Sequence, residues 1–151
     1  QGIAWDSSGE LWATEHGPSG TGSGFDEVNH IVKGGNYGWP DIQGDETKAG
    51  MITPMVQSGG AETWAPSGMM IYKDYLFFVG LRGQSLYQSS ISNEKIGLFK
   101  SYFRETYGRL RTVVLGPDNM FYLLTNNRDS LGKPTSTDDR IIKIDPKSLG
   151  I

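Results

Sequence analysis

Apolar residues along this chain come in short runs, and three segments share one order: an apolar strand, a polar turn containing Gly, Asp or Asn, a second apolar strand, then a polar loop. The segments are Gly2–Thr14, Gly68–Gly80 and Thr112–Leu124. Runs of this length suit strands of a few residues rather than helices. Repeats spaced roughly 40 to 66 residues apart, each with a hairpin and room for two more strands, predict propeller blades. Glu27–Val32 and residues 51–56 are the expected third and fourth strands of the first blade, and Ser85–Ile91 and Ile96–Tyr102 those of the second. Arg140–Ile144 is the expected third strand of the last blade, which then lacks its outer strand. The expected fold is therefore all-β: a β-propeller of four-stranded antiparallel blades, with about three blades present, spanning residues 1–60, 61–105 and 106–151. The Gly- and Pro-containing stretch 34–66 is long for a compact domain. It reads either as a functional, ligand-ordered loop or as an ordinary insertion.

Composition supports strands over helices, because 21 glycines with 7 tyrosines, 6 phenylalanines and 4 tryptophans suit short aromatic strands and tight turns. A net charge of −3 with no basic stripe points to neither nucleic acid nor an anionic membrane as partner. The longest apolar runs, such as Tyr75–Leu81, have strand length. With no cysteine, disulfides, cysteine-ligated zinc, iron–sulfur clusters and thiol catalysis are excluded. That absence is compatible with a periplasmic or secreted protein.

Consecutive strands of a blade run antiparallel, so loops leaving second strands and segments leading into first strands meet on one face. The former are Glu15–Pro18, Leu81–Gln84 and Thr125–Asp129; the latter are Gln1, Thr63–Ser67 and Gly108–Arg111. This face gathers arginines, a histidine, amides and a tryptophan, whereas the loops opposite, Asp6–Gly9, Lys73–Asp74 and Gly116–Asn119, are plain turns. Such a rim suits a small anionic ligand, with Arg for carboxylates and Trp for a flat ring. Each element also has a plainer reading. Arg82 could be a surface cation, Trp64 a core aromatic, and His16 and His30 structural. Asp26 and Glu27, with Asn29 and Tyr37, could ligate a hard cation or simply be solvated. No His-x-x-x-His, glycine-rich phosphate loop or Gly-x-Ser-x-Gly is present, which removes metalloprotease, nucleotide and hydrolase readings.

Taken together, Gln1–Trp5, Glu15–Pro18, Phe25–Asn29 and above all Lys33-Gly-Gly-Asn-Tyr-Gly-Trp-Pro40 resemble the glucose/sorbosone dehydrogenase family of soluble, pyrroloquinoline-quinone (PQQ)-dependent aldose dehydrogenases. Trp64–Gly68, Leu81–Gly83 and Thr125–Asp129 match more loosely, so the resemblance covers nearly the whole chain but about half of the family's six-bladed domain. It implies backbone carbonyls of Gly17 and Pro18 on a calcium beside the quinone, and Glu27 and Tyr37 on a second, structural calcium. Arg82, and less closely Arg111, would take the cofactor's carboxylates, with Gln1 and Trp64 also on the cofactor. The family's general base lies in its N-terminal half, so no catalytic residue is assigned here, and the chain alone is expected to be inactive. The implied substrate is an aldose oxidised at its anomeric carbon, and the implied location periplasmic or secreted. The alternative is a non-catalytic propeller binding module. Three blades leave two outward faces, so either a homodimer or the missing N-terminal half is expected to complete the ring.

Overall fold

The computed structural model describes residues 1–20 and 24–151. It is built from antiparallel strands with a single 3₁₀ turn, Pro146–Leu149, among the described residues. The first sheet orders β1 (Ile3–Trp5), β2 (Leu11–Glu15), β3 (Glu27–Ile31) and β4 (Val56–Gln57). The second contains β5 (Pro66–Tyr72), β6 (Tyr75–Gly80), β7 (Leu86–Ser92), β8 (Lys95–Ile96) and β9 (Lys100–Tyr102). The third has β10 (Leu110–Leu115), β11 (Phe121–Thr125) and β12 (Ile141–Ile144), and no fourth strand among the described residues.

Two outer strands differ from the expectation. In the first sheet only Val56–Gln57 forms a ladder, pairing with Val28 and Glu27, although the chain before it is tied down by Met55 N–H donating to the Val28 carbonyl. Pro54 has no N–H to offer a ladder, which holds the strand to the two residues that follow Met55. In the second sheet the expected single strand is broken into β8 and β9, both pairing with β7. Ile91 faces Ile96 but Leu86 faces Tyr102, so the register slips by one residue across Gly97–Phe99. A bulge of that kind re-aims side chains. Phe99 turns in against Trp64 and Phe78 at centroid distances of 5.7 and 5.4 Å, while Leu98 is left exposed.

Between sheets the first strands pack closely. A Cβ at Gly68 of β5 would lie 2.7 Å from the Cα of Thr112 on β10, and one at Gly2 would lie 2.5 Å from the Cβ of Met69. Ser67 Oγ lies 3.1 Å from the Val79 carbonyl and 2.9 Å from that of Leu110, spanning the second and third sheets. Two cores fill the gaps between sheets. One joins Trp12, Val28, Trp64, Leu76 and Phe78; the other joins Phe77, Val79, Leu110, Val113, Phe121 and Leu123. Each such side chain contributes about 1.5–3 kcal/mol on burial. β6 serves both, because Leu76 and Phe78 point to one neighbour and Phe77 and Val79 to the other, and all four are fully buried. Its sequence, Tyr-Leu-Phe-Phe-Val-Gly, is accordingly apolar on both faces. Sheets stacked through apolar faces with their first strands together are consecutive propeller blades.

Of the faces at the two ends, Ile3 and Trp5 are exposed on the first sheet, and Val114 and Ile141 on the third. The alternation along the third sheet divides its apolar residues. Val113, Phe121 and Leu123 face the second sheet, so only part of the apolar set faces outward.

Candidate functional site

The segments leading into and out of the blades on one face are bound into a single layer. Leu81 N–H donates to the Ala65 carbonyl at 2.9 Å and Gly83 N–H to that of Trp64 at 3.0 Å, fastening the loop after β6 over the segment before β5. Arg109, ahead of β10, reaches the Leu81 carbonyl at 3.3 Å and grips the Asp129 carboxylate through Nε and Nη2 at 2.9 and 2.8 Å. That contact holds Asp129 below the ordinary carboxylate value. Asn127 accepts from Arg109 N–H at 2.8 Å and donates to the Tyr107 carbonyl at 2.8 Å. His16 Nε2 lies 2.7 Å from the Pro66 carbonyl. Gly17, Arg82 and Asn127–Arg128 therefore share one face. A cleft of about 470 Å³ opens there between the second and third sheets, lined by Gln84, Tyr107, Arg109, Asn127, Lys133 and Arg140 among others.

Gly17 occupies a position only glycine can fill, since a Cβ would lie 1.8 Å from the Gly24 carbonyl oxygen. Its N–H donates to Asp26 Oδ1 at 2.9 Å, and Pro18 follows, half-buried. Arg82 is exposed at the exit of β6, and Arg111 is exposed on β10 at a register shift between Leu110 and Thr112. Gln1 anchors its terminal amine on the Thr14 carbonyl at 2.7 Å. Trp64 is 6% exposed and rings itself with Phe78, Tyr87 and Phe99, so it packs the core beneath this face.

Glu27 lies at the same end of the first sheet but on the side away from the second. It is directly opposite Glu15 across the β2–β3 ladder. Asn29, two residues along the same side, donates through Nδ2 to Glu15 Oε1 at 3.1 Å and to Glu27 Oε2 at 3.2 Å. Burial, together with the charges of Glu15 and Asp26, raises the Glu27 carboxyl above its ordinary value despite the Asn29 hydrogen bond. Asn29 Oδ1 is buried with no hydrogen-bond partner among the described residues. Two opposed carboxylates with an orphaned amide oxygen beside them form a donor set suited to a hard cation. Tyr37 approaches from elsewhere: its hydroxyl accepts from Val32 N–H at 2.8 Å and donates to the His30 carbonyl at 2.7 Å, at the far end of β3. Only its main chain is left for a cation. Among the described residues no three of His, Cys, Asp and Glu converge as a metal cluster.

The sequence offers Asp26 as a cation ligand or a solvated acid and Arg109 only as part of the rim segment Gly108–Arg111; what each one grips depends on contacts 38 and 28 residues distant. The turns opposite are less plain than expected, because a cleft of about 630 Å³ lies between them. Its carboxylates are partly engaged, Asp6 by Trp12 Nε1 at 3.1 Å and Glu10 by His30 Nε2 at 3.0 Å.

Residues 1–133 match the family model described as Glucose / Sorbosone dehydrogenase. The chain is 29% identical to the aldose sugar dehydrogenase YliI of Escherichia coli, aligning over 98% of its own length and 42% of that protein's. The PQQ-bound aldose sugar dehydrogenase of Streptomyces coelicolor superposes with a TM-score of 0.84 at 33% identity, covering 96% of this chain and 42% of that one. An oxidoreductase (glucose dehydrogenase) of Thermus thermophilus gives a TM-score of 0.87 at 37% identity, over 95% of this chain and 44% of that one. The chain thus spans less than half the length of these relatives.

Proposed function

Because the chain belongs to the glucose/sorbosone dehydrogenase family, we propose that it supplies part of the cofactor rim of a PQQ-dependent aldose dehydrogenase that also uses Ca²⁺. The observation that carries this reading is the layer in which Gly17, with no space for a side chain, lies on the same face as the exposed Arg82. When bound, the quinone accepts the hydride equivalent lost from the anomeric carbon of an aldose.

The chain's own residues divide the work of holding it. Arg82 and Arg111 offer guanidinium groups to carboxylates, a pairing that is charge-assisted and can be bidentate. Gln1 contributes an amide at the rim, and Trp64 supports the floor from within the core. Gly17 and Pro18 would hold a calcium ion through main-chain carbonyls, where its charge would polarise a neighbouring carbonyl. Glu27 with Asn29 Oδ1 and the main chain of Tyr37 would hold a second, structural one. No residue here takes the part of the base. His16 is tied through Nε2 to Pro66, and His30 packs on Trp12 and pairs with Glu10. The chain alone is accordingly inactive as a dehydrogenase, and its outward faces are completed by a second copy or by an N-terminal half. Among the described residues no helix is long and apolar enough to cross a membrane, and a periplasmic or secreted location is part of the same proposal.

Titration of PQQ into the protein, followed by absorbance with calcium present or chelated, tests the reading. Saturable binding that needs calcium is expected. No binding at micromolar protein overturns it and favours a non-catalytic propeller module.

A further inference from the structure

The cofactor face is held by one acid that no part of the reading above uses. Asp26 is 2% exposed, and both its carboxylate oxygens are spent on main-chain N–H groups. Oδ1 accepts from Gly17 at 2.9 Å, and Oδ2 accepts from Trp64 at 2.7 Å and from Ala65 at 2.9 Å. The main chain of Asp26 is latched as well, its N–H donating to Ser58 Oγ at 3.1 Å and its carbonyl accepting from Ser58 N–H at 2.9 Å. Backbone strain flanks this point. Phe25 and Ala65, neither of them glycine, have φ of 54° and 46°, in the left-handed region that side chains disfavour. Strain persists where the surroundings over-determine it, and functional sites collect it. The Phe25 ring occupies the space that a Cβ on Gly44 would need, 2.6 Å from Cδ1, so the left-handed residue beside Asp26 is wedged in place.

We propose that Asp26 is the positioning residue of this face, setting where the Gly17–Pro18 main chain stands relative to Trp64 and Ala65. The consequence for cofactor binding rests on the quinone-and-calcium reading; the clamp itself rests on the geometry alone. A carboxylate is required because three donors converge on two acceptor atoms. In Asp26→Asn an amide N–H₂ would face either the Gly17 N–H or the Trp64 and Ala65 pair, donor against donor, and a buried unmet donor is costly. Gly17 is then free to move while the rest of the first sheet keeps its ladder.

Amide hydrogen exchange by NMR on the full chain, without any ligand, reads the clamp directly. In D26N the amides of Gly17, Trp64 and Ala65 are expected to exchange about tenfold faster or more, because opening there no longer breaks a charge-assisted bond. Those of Phe77 and Val79 in β6 should keep their wild-type rates. Asp118→Asn, on the opposite face, should change none of these amides. Calcium-dependent PQQ binding by D26N should weaken by about tenfold or more. D26E, with both acceptors one methylene further out, should fold if D26N does not, and should also bind the quinone weakly. Unchanged exchange at Gly17, Trp64 and Ala65 overturns the clamp, and wild-type quinone affinity in a D26N protein with accelerated exchange overturns its positioning role. If the wild type binds no quinone, the functional reading falls, and accelerated or unchanged exchange still decides for or against the clamp.

Discussion

Replacing Glu27 by Gln should make the protein more stable without calcium and less stable with it. The two hydrogen bonds of Asn29, at 3.1 and 3.2 Å, place a Glu15 oxygen and a Glu27 oxygen no more than about 6.3 Å apart, where two full charges at an effective dielectric of 20 repel by about 2.6 kcal/mol. The substitution removes that repulsion, keeps an acceptor for Asn29 and brings an N–H₂ near its orphaned oxygen. For a chain of this size, 1 kcal/mol moves the melting temperature by about 2–4 °C. Glu27→Gln in chelator at neutral pH should therefore melt several degrees above wild type. The sign with pH follows from the raised Glu27 carboxyl: the folded chain holds that proton more tightly than the unfolded chain. Its stabilising effect is complete below the ordinary value of 4.5 and is lost as pH rises through the raised one. The advantage of the amide should thus vanish in acid. Calcium at about a thousandfold excess over its Kd would stabilise the wild type by about 4.1 kcal/mol and the variant not at all, reversing the order. Thermal melts by circular dichroism, with chelator and with calcium and at acid and neutral pH, show all of this. A variant that is the less stable of the two in chelator, by the same margin as in calcium, would refute the cation site and leave Glu27 a structural hydrogen-bonding group.

Gly17→Ala drives a Cβ against the Gly24 carbonyl; a loss of about 1–3 kcal/mol and abolished quinone binding are expected, read by melting and by titration. Arg109→Ala should lower the melting temperature at neutral pH, and its deficit should shrink as pH falls below the ordinary 3.8 of Asp129 and through the depressed value that Arg109 imposes. The chain should associate in solution through its end faces, and Trp5→Glu with Ile141→Glu should dissociate it; a well-folded wild-type monomer in light scattering at micromolar concentration would count against this. No turnover is expected from an aldose, PQQ, calcium and a dye acceptor, and robust turnover lost in His16→Ala would make His16 the base.

The strands were legible because each hairpin is local: alternating residues and a Gly-, Asp- or Asn-containing turn specify β1–β2, β5–β6 and β10–β11 with little help from the rest of the chain. The outer strands were less so. Nothing in Ile96–Tyr102 announces a one-residue slip, which arises because Phe99 gains a place against Trp64 and Phe78. At the site, the rim loops could be sorted by strand direction, but their mutual grip could not. Glu15, Glu27 and Asn29 converge only once the β2–β3 register is known, and the loop between those strands is too long to dictate it. Asp26 reads in the sequence as a cation ligand or a solvated acid, because the donors that bury it come from Trp64 and Ala65, far along the chain. Trp64 had its plainer reading available from the start, and the ring is in the core.

Every ladder among the described strands joins strands consecutive in the chain, with β9 reaching back to β7 the only skip. A chain emerging from the ribosome can thus complete each sheet soon after its last strand appears, without holding a strand open for a distant mate. What has to wait is the seating of one finished sheet on the next, when Gly68 meets Thr112 and Asp26 takes hold of Trp64 and Ala65. The proposed cofactor face is assembled in that second stage, so substitutions there should slow or loosen docking between sheets while leaving the sheets themselves intact.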